Sequence, residues 1–81
     1  MFKKIELTSH CDKAEIKRLW AKETLSVDET LKLLIEMCNP DRFNLLHDVD
    51  DSSIHLYDLD EERDVFVSDY INAHISDFLE S

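Results

Sequence analysis

Two cysteines and four histidines are the side chains with the most chemistry to offer in this sequence, and their spacing works against it. His10 and Cys11 are adjacent, while Cys38, His47, His55 and His74 are scattered. A zinc site built on Cys-x-x-Cys or His-x-x-x-His spacing is therefore absent. A Cys–His nucleophile would need a preorganised, water-excluding site. A chain of 81 residues has only a thin core in which to build one. Two widely separated cysteines read as reduced, half-buried thiols, which behave as small hydrophobes. His74 falls on an apolar stripe, where a partly buried, hydrogen-bonded residue is expected rather than a ligand.

Carboxylates are abundant, but acid–base catalysis needs one of them desolvated to move its pKa. Asp48-x-Asp50-x-Ser52 has the spacing that opens a calcium-binding loop. Ser53 then stands where that loop turns on glycine, and Leu59 where it needs a bidentate glutamate. Neither substitution is compatible with such a site. The chain has no glycine at all. That excludes the usual phosphate-cradling loop, the dinucleotide fingerprint and the serine nucleophile elbow, each of which relies on glycine for a tight turn or close approach. The expectation is a protein that is not an enzyme and carries no cofactor or metal.

What remains is charge, and it is unevenly placed. Residues 1–36 hold seven Lys or Arg against seven Asp or Glu and are neutral. Residues 37–81 hold only Arg42 and Arg63 against twelve acidic residues, so the whole net charge of −10 arises there. Asp48, Asp50, Asp51, Asp58, Asp60, Glu61, Glu62 and Asp64 crowd one stretch, with Arg63 alone among them. Like charges at this density repel and cost stability unless solvated or used. Asp60, Glu61, Glu62 and Asp64 have a structural reason if they open a helix, where its dipole favours anions. Asp48, Asp50, Asp51 and Asp58 do not. Tyr57 and Phe66 stand beside these carboxylates, and an aromatic ringed by polar groups suits an interface anchor.

The elements that would position these groups read as mainly helical. A first helix is expected over about residues 10–24, capped by Ser9 and Asp12, with Ile16, Leu19 and Trp20 inward. Ser26 and Glu29 form a capping box for a second helix, whose Val27, Leu31, Leu34, Ile35 and Cys38 share one face. Asn39 suits its C-terminal cap and Pro40 the start of a new segment. Asp41 to His47 reads as a short third helix. A last helix is expected from about Glu61 to Leu79, with Val67, Tyr70, Ile71, His74, Ile75 and Phe78 as a continuous stripe. The N-terminal arm from Phe2 to Leu7 and residues 54–59 alternate, which leaves room for a short β-pair. The fold expected is a three- or four-helix bundle in one compact domain, residues 1–81.

No run approaches a membrane span. Met1-Phe2-Lys3-Lys4 is not followed by the apolar core of an export signal, so a cytoplasmic protein is expected. The acidic stretch has the wrong sign to bind nucleic acid, but it suits docking on a basic, nucleic-acid-binding surface of a partner protein such as a nuclease. The partner-binding residues expected are Asp48, Asp50, Asp51, Tyr57, Asp58, Asp60, Glu61, Glu62, Asp64 and Phe66. Phage anti-defence proteins (anti-CRISPR or anti-restriction) and nuclease-immunity proteins are inhibitors of this size, charge and helical character. That analogy is general and carries no residue over. The other reading is a structural or regulatory subunit, a homodimer among the options, that associates through helix–helix packing while its acidic residues serve solubility.

Overall fold

A sheet, not a bundle, organises the chain. The computed structural model describes residues 1–8 and 12–80, and the order of elements is β1 (Phe2–Ile5), α1 (Lys13–Trp20), α2 (Val27–Met37), β2 (Phe43–Asp48), β3 (Ser53–Asp58), β4 (Arg63–Val65) and α3 (Val67–Leu79). The four strands form one antiparallel sheet in the order β1-β2-β3-β4. The fold is therefore α+β, and the expected mainly helical bundle is incorrect.

The helices that do form follow local rules. Asp12 caps α1 by accepting the Glu15 N–H at 3.2 Å. Ser9, the other expected cap, lies outside the described residues. Ser26 and Glu29 make a reciprocal capping box at the start of α2, each satisfying the other's backbone N–H. α2 ends at Cys38, and Asn39 acts just beyond it: its side chain accepts from Asp41 N–H at 2.8 Å, and its carbonyl from Arg42 and Phe43. α3 begins six residues later than the periodicity suggests, at Val67.

Residues 41–47 are the plainest departure, because they turn and then enter β2 instead of forming a third helix. Within β2 the buried Phe43 and Leu45 alternate with the partly exposed Asn44 and Leu46, which is strand periodicity. Leu45 lies opposite Leu56 of β3 in the register, and both are fully buried. Pairing with β1 on one side and β3 on the other outweighs the modest helical propensity of the segment. The expected β-pair also changes partner: the N-terminal arm pairs with β2, and residues 54–59 contribute to β3 beyond it.

All three helices contribute to one core. Ile16 and Leu19 of α1, Leu31, Leu33, Leu34 and Met37 of α2, and Ile71 and Ile75 of α3 are buried with Phe43, Leu45 and Leu56 of the sheet. These strand residues share one face with Ile5, Ile54 and Val65, all of which pack against the cluster. The opposite face carries Phe2, Lys4, Asn44, Leu46, His55, Tyr57 and Asp64. No described element covers it.

Candidate functional site

The carboxylates expected to act together are divided between two turns at opposite ends of β3. The loop from Asp48 to Ser53 joins β2 to β3, and the loop from Asp58 to Arg63 joins β3 to β4. A strand of six residues holds such turns about 20 Å apart at its usual rise. Asp48, Asp50 and Asp51 therefore lie at one end, and Asp58, Asp60, Glu61 and Glu62 at the other. Asp60, Glu61, Glu62 and Asp64, expected to open the last helix, cap none, because α3 starts only at Val67. Asp64 sits within β4.

The two turns are chemically alike. Asp-Val-Asp-Asp-Ser at 48–52 matches Asp-Leu-Asp-Glu-Glu at 58–62. Asp48 Oδ1 accepts from Asp50 N–H at 3.0 Å, and Asp58 Oδ1 accepts from Asp60 N–H at 2.9 Å and Glu61 N–H at 3.2 Å. Aspartate at a turn's first position commonly satisfies the turn's own backbone in this way. With no glycine to use, the chain places Ser52 (φ 62°) and Glu62 (φ 55°) in the left-handed region where each loop closes.

Each turn is only partly neutralised. The Met1 ammonium binds Asp48 at 3.3 Å and also Asp50, and both carboxylates hold that amine above its ordinary pKa. The Ser53 hydroxyl and N–H hold the Asp51 carboxyl below its usual range. At the other end Arg42 reaches Asp58 at 3.2 Å and Arg63 reaches Glu61 at 2.6 Å. Burial alone would raise the Asp58 carboxyl, which is 3% exposed, but Arg42 and the two turn N–H groups outweigh it and hold it low. Three carboxylates against one ammonium, and four against two guanidiniums, leave each turn two charges negative.

Arg18, Lys22 and Lys32 pair within the first half of the chain rather than with these turns. Glu15 takes Arg18 at 3.0 Å and Lys32 at 2.9 Å, which lowers its pKa to about 2. Lys22 and the Ser26 N–H together bring Glu29 to about 2. Those pairs close within the helices and their connection, so the second half keeps its negative field.

Between the acidic ends lies the uncovered face of the sheet. Phe2 packs edge-on against His55 at 5.2 Å between ring centroids, and both are exposed. Tyr57 is half-buried beside Asp64, its register partner. Phe66, at the step from β4 into α3, is 79% exposed, the most exposed large hydrophobic residue among those described. Phe2 and Leu46 were not expected at a site. The sheet register, rather than a local sequence pattern, places them on this face.

Elsewhere the geometry offers little chemistry. A cleft of about 440 Å³ is lined by Arg42, Asp58, Glu61, Arg63, Tyr70 and His74 among others, and its guanidiniums already serve Asp58 and Glu61. His74 is exposed and tilts against Tyr70 at 4.6 Å, rather than being buried in the stripe. Cys38 is 2% exposed, and burial pushes its thiol up to about 12 despite the opposing bond to Tyr70. It is a core residue without thiolate character. His10 and Cys11 lie outside the described residues. Among the described residues no group of three or more His, Cys, Asp or Glu is placed to hold a metal, and no helix is long and apolar enough to cross a membrane.

Comparison with known proteins found no matching family model, no matching curated protein and no matching solved structure.

Proposed function

We propose that this protein is a small acidic inhibitor that docks on a basic, nucleic-acid-binding surface of a partner protein. It would do so through the uncovered sheet face and its two acidic ends. The observation that carries this reading is the arrangement of that face: Phe2, Leu46 and Tyr57 interspersed with Lys4, Asn44 and His55, flanked by turns that keep net negative charge. Productive interfaces likewise set aromatic anchors among polar groups. Carboxylates at both ends steer a basic partner into register and reject acidic ones. A nuclease or other nucleic-acid-binding protein presents the required positive surface.

The subunit reading draws less support. Its helix–helix contact needs an apolar helix face left over from the core, and the described helices spend theirs internally. Val27, at 37% exposed, is the main aliphatic residue they leave outside.

The test is affinity capture from lysate of the cells that make the protein, at low and at high salt. A basic protein should be recovered at low salt and released as salt screens the contact. Replacing Asp50, Asp51, Asp60 and Glu61 by Lys should abolish recovery while leaving the circular dichroism spectrum and Tm close to the parent's. Salt-independent capture that survives the replacements would remove the reading.

A further inference from the structure

β4 is only three residues long and pairs with Leu56, Tyr57 and Asp58, so it covers half of β3. The chain leaves the sheet at Phe66 and enters α3 at Val67. The first half of β3, Ser53 to His55, pairs with β2 on one side and has no strand on the other among the described residues, so the Ile54 N–H and C=O face an open side. Along that bare edge runs a groove of about 640 Å³, lined by Ile54, His55, Asp64, Val65, Phe66 and Val67 among others. Ile54 and Val65 pack on the core, and the exposed Phe66 also lines the groove.

Folded proteins blunt open edges with lysine, proline, bulges or a covering loop. Ser53, Ile54 and His55 include neither lysine nor proline. The edge carries instead an acid beyond each end, Asp51 in the turn before it and Asp64 on β4, opposite Tyr57. Two copies pairing edge to edge would bring these carboxylates together, which opposes self-association. A strand bearing lysine or arginine at alternate positions would meet them favourably.

We infer that the edge of β3 from Ser53 to His55 is a strand-addition site for an extended, basic segment of a partner protein, with Phe66 as its side-chain anchor. This rests on the docking function proposed above and names its mode. Backbone pairing supplies much of the affinity in such additions, and pockets for alternate side chains supply selectivity. The partner segment takes the place β4 vacates, sets an apolar side chain against Ile54 and Val65, and turns basic side chains toward Asp51 and Asp64. No bond is made or broken.

The test uses the full chain, isotope-labelled for NMR, and a short synthetic peptide alternating lysine with valine. Binding should shift the Ser53, Ile54 and His55 amides and the Phe66 ring, and slow hydrogen exchange at Ile54, whose N–H faces the open edge. Phe66→Ala should weaken the peptide by about tenfold, as loss of an aromatic anchor does. A peptide N-methylated at alternate residues keeps the charge and side chains but cannot pair. It should lose the exchange protection. A glutamate–valine peptide should not bind.

Equal protection by the N-methylated peptide would overturn the strand-addition mode. So would shifts confined to Phe2, Leu46 and Tyr57, absence of any shift, or the same amides protected in a dimer without peptide. The docking function stands or falls separately, on whether captured partner responds to salt and to reversal of the four carboxylates.

Discussion

The two hairpin turns use one local design in two different surroundings. Both open on an aspartate that accepts its own turn's N–H, and both close on a non-glycine residue with positive φ. Asp48 takes the exposed Met1 ammonium and keeps 17% side-chain exposure. The Asp58 side chain keeps only 5% exposure, holds two turn N–H groups and takes the Arg42 guanidinium. The same residue type thus serves as a surface fitting at one end and as part of the core's edge at the other. Turn chemistry alone sets the loop; what packs against it sets how much the loop matters.

That contrast can be broken most sharply at its two aspartates. Asp58→Ala leaves two N–H groups and Arg42 without their acceptor in a place water reaches poorly. Its Tm should fall by on the order of 10 °C. Asp48→Ala loses one turn bond at a wetter site and should cost a few degrees at most, by the same reasoning. Thermal melts of the two variants decide it, and equal losses would show that the surroundings of the turns do not differ in effect. The pH dependence has a definite sign. The folded-state pKa of Asp58 is depressed, so its contribution is complete above the ordinary carboxylate range. It drains away as pH falls through and below that range. Asp58→Asn should flatten this acid limb in an unfolding titration, and an unchanged limb would contradict the Arg42 pairing.

A smaller effect should appear where the loops close. A left-handed conformation costs an ordinary residue ~1–2 kcal/mol, and glycine escapes it while giving back ~0.4–1 kcal/mol through its freer unfolded chain. Ser52→Gly and Glu62→Gly should each therefore stabilise the fold by about 0.5–1 kcal/mol, read from denaturant midpoints. Destabilisation by either would mean that the positive φ is not strained there.

How far the sequence foretells this fold also differs between regions. The start of α2 is written in Ser26 and Glu29, and the inward positions Ile71 and Ile75 of α3 follow from helical spacing, because capping and periodicity are local. The sheet is not local. Phe43 becomes a strand residue through its partner Asp58, and Leu45 through Ile5 and Leu56, all distant along the chain. Five residues of mixed Leu, Phe and His leave either period readable. One usable signal was present: Asp-Val-Asp-Asp and Asp-Leu-Asp-Glu recur at 48–51 and 58–61, each flanked by alternating apolar residues, as in successive hairpins. Helical periodicity over the same residues instead suggests a third helix and an early start to the last one.

The same repeat explains the site. Reading Asp48 to Asp64 as one crowded stretch makes a single acidic patch, whereas a strand running from turn to turn must divide it. Tyr57 and Phe66 were legible as candidate anchors because they neighbour carboxylates in sequence. Phe2 was not, since the sheet register alone sets it across from Asp48 and against His55.

The central claim is that both acidic ends act on one partner across the face between them. Reversing them separately tests it: Asp50→Lys with Asp51→Lys in one variant, Asp60→Lys with Glu61→Lys in another. The dissociation constant of the captured partner is then measured for each at low salt. Each variant should bind at least about tenfold more weakly than the parent, a loss typical of disrupted charge complementarity. Parent-like affinity in either variant would contradict the claim.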